Sequence, residues 1–258
     1  MNRVTLYIFT ISHYCEKARW ALEYLGFDVD IKPLAPGTHA KVAQELGLKR
    51  GSLPYLQAGD TIVQGSDAII DWAEEHSTSE KTLGSSNTAI IDVERRLDQS
   101  LGVHIRRWFY SEAILETPEL VKPIFMHNLS VWEKAKLTIK WPVIQKLMIQ
   151  RMDLGYDQGI ESLEVVRQEM RWLDELLGGK ESDKDSDKDS GKDSYLVDDQ
   201  FSRADITAAS LLAPIIMPSE HSCSALMQHP PRVEEVRLTM INEPLCQWVE
   251  EKYRNHRL

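Results

Sequence analysis

The side chains with the clearest chemical potential in this sequence stand together in Ser12-His13-Tyr14-Cys15. An apolar pattern of helical period includes Cys15, so Ser12 stands where a helix begins. The first N–H groups of a helix are unpaired and carry about half a positive charge, which favours a thiolate, a carboxylate or a phosphate. Ser12 could serve as a helix cap alone or hold a bound anion, and the local sequence by itself favours the cap.

Cys15 offers a second chemistry at the same motif. Its side chain falls on the apolar face of the helix, so we predict a buried structural thiol rather than a redox group. Because position 12 is a serine, the motif has no partner thiol for dithiol chemistry. His13 has no evident partner carboxylate, and its adjacency to Ser12 does not make a catalytic dyad.

The elements around the motif predict an α/β fold for the first 76 residues. A strand, a crossover helix and a second strand imply a parallel pair, and a later hairpin adds antiparallel strands. The result is a mixed four-stranded sheet. The predicted elements are strands over 4–9, 29–31, 53–56 and 61–63 and helices over 13–25, 39–46 and 67–76, the last capped by Ser66.

Composition narrows the classes to which the chain can belong. Its 258 residues are 42% hydrophobic and 27% charged, as in an ordinary globular protein of one or two domains. A net charge of −10 argues against nucleic acid as a partner. No apolar run approaches the ~20 residues of a membrane span, and the first strand leaves no room for a signal peptide. The cysteines Cys15, Cys223 and Cys246 are widely spaced, so we expect a reducing, cytoplasmic compartment.

After a polar linker over 77–86, the chain carries helical patterns and almost no strand signal. Prolines at 118 and 123 punctuate this region, and Trp141-Pro142 is predicted to break or kink a helix. Ser202 and Asp205 have capping-box spacing before an apolar helix. The other predicted helices cover 87–115, 159–177, 219–228 and 230–254.

Two further segments invite a metal-binding interpretation and do not support one. The near-repeat of Ser-Asp-Lys-Asp over 180–194 has no apolar residue and is predicted to be disordered. Its aspartates at 185, 187 and 189 alternate as in a calcium loop, but glycine and glutamate are missing from the required positions. His221, Cys223 and His229 match no defensible zinc spacing and are predicted to be surface-loop residues. We therefore expect no metal.

Three motifs in the first domain resemble those of the cytosolic glutathione S-transferases. Ser12-His13-Tyr14-Cys15 is similar to the first-helix motif of the serine and cysteine classes, and to a glutaredoxin Cys-x-x-Cys whose first cysteine is replaced by Ser12. Leu53-Pro54 stands where that family has a cis-proline whose neighbouring backbone pairs with the cysteinyl unit of glutathione. Gly65-Ser66-Asp67 stands where a serine and a helix N-terminus hold the γ-glutamyl carboxylate. The segment around Ser202 also resembles the family's capping segment in its helical domain.

The resemblance implies a thioredoxin-like glutathione-binding domain over 1–76, a linker over 77–86 and an all-helical domain over 87–258. It implies a glutathione S-transferase, a detoxification enzyme whose co-substrate glutathione attacks a small-molecule electrophile as a thiolate. Ser12 would be the activating group. Cys15 and Tyr7 are the alternatives, although Tyr7 lies one position from the activating strand tyrosine of other classes. A homodimer is also implied.

The remaining site residues follow from the same resemblance. Lys41 and His39 stand where the family often supplies a cation for the glycyl carboxylate of glutathione. Arg106, Arg107 and Tyr110 lie on the long helix that faces the cleft and would line the second-substrate pocket, with domain packing as the alternative. The implied glutathione-binding residues are Leu53, Pro54, Gly65, Ser66, Asp67 and Lys41.

One departure leaves the function open to alternatives. Gly65 stands where the family has glutamate or glutamine, and losing one such hydrogen bond, ~0.5–1.5 kcal/mol, would weaken glutathione binding by about tenfold. Gln64 is one residue away. The alternatives are a glutathione-dependent reductase or isomerase and a non-catalytic binding protein of the same fold.

Overall fold

The structure, a computed structural model, describes residues 3–181 and 194–257. Its first part has the predicted order of elements, with bounds shifted by one or two residues. The strands are β1 (Arg3–Ile8), β2 (Asp28–Pro33), β3 (Tyr55–Ala58) and β4 (Thr61–Gln64), and the helices are α1 (His13–Tyr24), α2 (His39–Glu45) and α3 (Ser66–His76).

The four strands form one mixed sheet in the order β2-β1-β3-β4. β1 pairs in parallel with β2 and antiparallel with β3, and β3 continues through the hairpin into antiparallel β4. Leu6 in the central strand lies opposite Ile31 on one side and Leu56 on the other, and both leucines are fully buried. The predicted thioredoxin-like sheet is confirmed.

The second part of the described chain is helical throughout and packs around one central helix. Every residue of that helix, α9 (Arg203–Ile216), is buried. The predicted capping box at its start is present, since Asp205 accepts hydrogen bonds from the backbone N–H and hydroxyl of Ser202 at 2.8 and 2.7 Å. The helices are α4 (Thr88–Gln99), α5 (Leu101–Leu115), α6 (Pro118–Phe125), α7 (Val131–Met152), α8 (Tyr156–Glu181), α9 (Arg203–Ile216), α10 (Pro231–Met240) and α11 (Pro244–His256).

Several predicted helix bounds are wrong. The helix predicted over 87–115 is divided at Ser100, whose hydroxyl donates to Glu169 of α8 at 3.1 Å. Apolar positions continue in phase across this break, so their spacing does not reveal it. Gly65, not Ser66, caps α3, and the region 219–228 forms turns rather than a helix. α7 continues through Pro142 without interruption.

The histidines and cysteine proposed as surface-loop residues are mostly internal. His221 and Cys223 are 4% and 0% exposed, and the Cys223 thiol donates to the backbone oxygen of Thr10 at 2.9 Å. The turn at 219–226 therefore packs beneath the start of α1. Predicting a polar loop at this position does not reveal that contact. His229 pairs instead with Glu234 at 3.2 Å. No cluster of metal-binding side chains occurs in the described part of the chain.

Part of the segment predicted to be disordered can be placed. α8 extends through Glu181, so it includes the first two residues of the 180–194 segment. Residues 182–193, which contain the calcium-like aspartates at 185, 187 and 189, lie outside the described residues. Over 3–181 and 194–257, no helix has the length and apolarity needed to span a membrane.

Buried ion pairs join the α/β part to the helices. Lys17 of α1 is fully buried and lies 2.7 Å from Glu94 and 2.6 Å from Asp98, both in α4. Arg203 at the start of α9 lies 2.6 Å from the other oxygen of Glu94 and also pairs with Asp71 of α3. Because removing one member of such a network leaves a buried charge unpaired, these contacts fix the helices against the sheet domain.

Candidate active site between the sheet domain and the helices

A cavity of about 290 Å³ opens between the N-terminus of α1 and the helices α5, α6 and α7. The sheet-domain wall includes Phe9, Ser12 and Leu53, and the helical wall includes Arg106 and Tyr110. Most of the lining is apolar. The cavity thus brings the predicted thiol-activating residue together with two of the three predicted second-substrate residues.

Ser12 lies half-buried at this cavity because it caps α1. Its backbone is extended, and its Oγ accepts a hydrogen bond from the N–H of Cys15 at 3.4 Å. A serine hydroxyl that accepts in this way still has its hydrogen to donate. Ser12 can therefore cap the helix and donate to an anion in the cavity at the same time.

The two alternatives to Ser12 are placed less favourably for thiol activation. Cys15 is 2% exposed, and burial raises the pKa of its thiol to about 12, although a hydrogen bond to Ser12 lowers it. At neutral pH this thiol is protonated. Tyr7 does not line the cavity, and its hydroxyl donates to Gln57 on the neighbouring strand at 3.0 Å. Its ring contacts the ring of Tyr55, with the centroids 5.3 Å apart.

His13, next to Ser12, is a neutral side chain at the floor of the cavity. It is 5% exposed, and burial, together with the nearby Arg106 guanidinium, lowers its pKa to about 3. Its Nε2 has no hydrogen-bond partner within the described residues. An imidazole with so low a pKa is a poor base at neutral pH, so His13 cannot serve as the proton acceptor for a thiol.

The glutathione-binding residues implied by the resemblance form the neighbouring edge of the sheet domain. The Leu53-Pro54 peptide is cis, and the carbonyl of Pro54 accepts a hydrogen bond from the N–H of Gly65 at 3.0 Å. Ser66 is buried in the first turn of α3, and Asp67 beside it is exposed. Leu53 lines the cavity, whereas Pro54, Gly65, Ser66 and Asp67 lie outside its lining.

Gly65 departs from the family pattern for a reason visible in its backbone. Its φ is +104°, and a Cβ there would lie 2.8 Å from the Asp67 carboxylate. Glycine alone adopts such a conformation readily. Gln64 does not replace the missing side chain freely, since its Nε2 donates to the carbonyls of Arg50 and Ser52 at 2.8 and 2.7 Å.

Of the two candidate cations for the glycyl carboxylate, only His39 lines the cavity. Its ring packs edge-on against Phe9 with centroids 4.8 Å apart, and burial lowers its pKa, with Arg151 adding to the shift. Lys41 is largely exposed on the outer side of α2, where it pairs with Glu45 at 3.5 Å. The lysine does not reach the cavity.

Arg106 and Tyr110 lie in the cavity as the sequence predicts, and Arg107 does not. The guanidinium of Arg107 instead donates to Ser162 of α8 at 2.7 Å and to Asp153 at 3.0 Å. Adjacent helical residues point about 100° apart, and here Arg106 faces the cavity while Arg107 faces α8. Arg107 is therefore a packing residue, which was the alternative interpretation.

The helices α6 and α7 supply a part of the wall that sequence reasoning missed. Phe125, Leu147, Met148 and Arg151 line the cavity, yet their apolar spacing is that of any packed helix. Only the internal prolines and the length of this region distinguished it. No local signal indicated that it would close over the N-terminus of α1.

A thioredoxin-like domain followed by helices that enclose the start of its first helix defines a two-domain class of proteins. Residues 6–81 match the sequence profile of the glutathione S-transferase N-terminal domain. Residues 6–81 are thus a glutathione S-transferase N-terminal domain, and the whole chain has the glutathione S-transferase fold.

Solved structures of this fold align over almost the entire chain. A glutathione transferase from Phanerochaete chrysosporium has a TM-score of 0.64 at 14% identity, covering 99% of this chain and 98% of its own. A beta-etherase from Sphingobium sp. strain SYK-6 has a TM-score of 0.56 at 19% identity, covering 98% of this chain and 100% of its own. Glutaredoxin 2 from Salmonella typhimurium, in complex with glutathione, has a TM-score of 0.51 at 16% identity, covering 97% of this chain and 100% of its own. A search of curated protein sequences found no match.

Proposed function

We propose that this protein is a glutathione transferase that activates glutathione as a thiolate beside Ser12 and directs it at a small-molecule electrophile. The observation that carries the proposal is the position of Ser12, which caps α1 and opens onto an apolar cavity. The match of residues 6–81 to the family supports glutathione as the thiol.

Thiolate formation depends on the groups that surround the glutathione sulfur. The Ser12 hydroxyl donates to the sulfur, and the N-terminus of α1 and the Arg106 guanidinium add positive potential, so all three favour the thiolate. The thiol proton leaves to solvent, because His13 is a poor acceptor. The thiolate forms a carbon–sulfur bond, and a leaving group departs with its electron pair or, in an addition, the product takes a proton from water.

Glutathione itself would lie along the edge that joins the cavity to α3. We assign the backbone beside cis-Pro54 to its cysteinyl unit, and Ser66 with the N-terminus of α3 to its γ-glutamyl carboxylate. Gly65 contributes backbone and no side chain. His39 replaces Lys41 in our assignment of the glycyl end, because His39 lines the cavity and Lys41 does not.

The buried Cys15 argues against a dithiol reductase at this motif. Burial raises the pKa of this thiol to about 12, so little thiolate is present to attack or resolve a disulfide at neutral pH. The non-catalytic alternative requires that glutathione not bind, or bind without thiolate formation. A pH titration of bound glutathione separates this alternative from the transferase.

The deciding experiment is a pH titration of protein-bound glutathione, followed by the ultraviolet absorbance of its thiolate. We expect a saturable signal with the thiol pKa lowered by roughly two units from ~8.5. Ser12→Ala should bind glutathione and lose most of that shift. Ser52→Ala, which removes another hydroxyl at the cavity from a residue that caps neither α1 nor α3, should keep it. Absence of binding at millimolar glutathione would favour the non-catalytic alternative, and an unshifted pKa would exclude activation.

We also propose a cytoplasmic homodimer, on the strength of the resemblance and of the three free, buried cysteines. Free thiols of this kind fit a reducing compartment. Sedimentation equilibrium across micromolar protein concentrations tests the dimer: a mass of twice 29.6 kDa is expected, and a monomer at all concentrations would refute it.

A further inference from the structure

Arg106 is a half-buried cation that nothing in the described protein neutralises. Its Nε is buried without a hydrogen-bond partner, and its guanidinium forms no ion pair within residues 3–181 and 194–257. The neighbouring Arg107 shows the ordinary arrangement, with a hydroxyl and a carboxylate as partners. A partly desolvated charge without a partner costs free energy that a bound anion would recover.

The surroundings of Arg106 add positive rather than negative charge. Arg151 of α7 also lines the cavity, and no aspartate or glutamate of the described chain does. Burial and the Arg106 charge together lower the pKa of His13, whereas burial raises the pKa values of Tyr14 and Tyr110 and the Arg106 charge opposes that rise. In a chain with a net charge of −10, a cavity with two arginines and no carboxylate is a local reversal of sign.

The rest of the cavity suits a flat apolar molecule. Phe125 stacks nearly parallel to Tyr110, with an interplanar angle of 15° and centroids 6.3 Å apart. Phe9 meets Phe125 edge-on at 5.8 Å from the opposite wall. Aromatic rings in these arrangements favour an aromatic guest through offset stacking and edge contacts.

We propose that the second substrate of this site is an aromatic molecule that carries an anionic group, and that Arg106 binds that group. A planar guanidinium matches a carboxylate or sulfonate with paired hydrogen bonds. That this molecule is a substrate rests on the proposed transferase function. The binding preference itself does not depend on catalysis or on glutathione.

The experiment compares two probes that share an aromatic skeleton and differ in one charge. 8-Anilinonaphthalene-1-sulfonate carries a sulfonate, and N-phenyl-1-naphthylamine lacks it. Both fluoresce more strongly in apolar sites, so each can be titrated against the wild-type chain without glutathione. A charge-assisted hydrogen bond contributes roughly ten- to hundredfold in affinity, so we expect the sulfonate to bind at least about tenfold more tightly.

Variants at adjacent positions locate the effect. Arg106→Met should reduce affinity for the sulfonate about tenfold or more and leave the neutral probe nearly unchanged. Arg106→Lys should retain part of the preference because it keeps the charge and loses the fork. Arg107→Met removes a neighbouring arginine that lies outside the cavity and should leave both affinities unchanged. Circular dichroism spectra would confirm that each variant is folded.

Three results would overturn the proposal. Equal affinity of the two probes for the wild-type chain would show no anion preference. Equal losses in Arg106→Met and Arg107→Met would show a general charge effect. A calorimetric loss of glutathione binding in Arg106→Met, with sulfonate affinity intact, would assign Arg106 to glutathione instead. Failure of thiol activation in the separate thiolate titration would refute the substrate role of the ligand, but it would not affect the proposed anion-binding site.

Discussion

The two walls of the cavity are built by different physical means. The sheet-domain wall, with the edge that adjoins it, depends on backbone features: a helix N-terminus at Ser12 in the lining and, just outside the lining, a cis peptide before Pro54 and a positive φ at Gly65. The helical wall depends on side chains, above all Arg106 and Tyr110, that project from packed helices. One wall presents hydrogen-bonding groups at fixed positions, and the other presents a shape and a charge.

This difference indicates how the two parts could serve one reaction. A backbone-built wall is insensitive to most substitutions, so it suits a constant ligand such as the proposed thiol co-substrate. A side-chain wall changes with each residue, so it suits a ligand that differs between proteins of the same fold. Three substitutions test how far the two walls are independent, and they follow in order of decreasing expected effect.

Glu94→Gln should break the link between the walls. Glu94 lies between the buried cations Lys17 and Arg203, and neutralising it leaves both under-compensated. We expect the free energy of unfolding to fall by about 3 kcal/mol, measured by urea denaturation. Asp92→Asn is the matched control on the same helix, because its ion pair with Arg95 is exposed and should contribute under ~1 kcal/mol. Equal effects would mean that burial of the network is unimportant.

His13→Gln tests the floor of the cavity, where the walls meet. The folded pKa of His13 is about 3 against 6.5 for the free side chain, so between these values the unfolded chain binds more protons. His13 therefore costs no stability above pH 6.5 and increasingly destabilises the fold as pH falls toward 3. The slope for one proton reaches about 1.4 kcal/mol per pH unit.

Unfolding measured from pH 7 to pH 4 should thus show a shallower decline in His13→Gln than in the wild-type chain. Other buried histidines, including His221, keep part of the slope in both proteins. His127→Gln, at a turn outside the cavity, serves as the control and should follow the wild-type curve. Superimposable curves for His13→Gln and wild type would show that His13 is accessible to protons in the folded state.

Gly65→Ala tests the backbone wall alone and should have the smallest effect. A φ of +104° and the nearby Asp67 carboxylate disfavour any Cβ, so stability should fall by about 1 kcal/mol. Gly178→Ala makes the same change in a helix, where open space surrounds the site, and should raise stability by about 0.5–1 kcal/mol. A neutral Gly65→Ala would mean that the departure from the family pattern has no backbone cause.

The chemistry of the local sequence was sufficient for most of the sheet domain. The Ser12 cap and the hairpin of β3 and β4 each involve a few neighbouring residues, as does the capping box at Ser202 in the helical part, and the structure has all of them. Such features are readable because the residues that interact are neighbours in the chain. The cap of α3 was misplaced by one residue, and the break at Ser100 was missed. In the helical part, the helix predicted over 219–228 was wrong, and the helix predicted over 230–254 is divided into α10 and α11.

The sequence by itself determined the α/β and helical halves, the position of Ser12 at a helix N-terminus and the family resemblance. Only the tertiary structure decided that Arg106 faces the cavity while Arg107 faces α8, and that α7 closes the cavity with Arg151. It also decided that His221 and Cys223 are buried beneath α1. The reason is physical: a helix's apolar spacing states that one face is buried but not against what, and that depends on contacts between residues far apart in the chain.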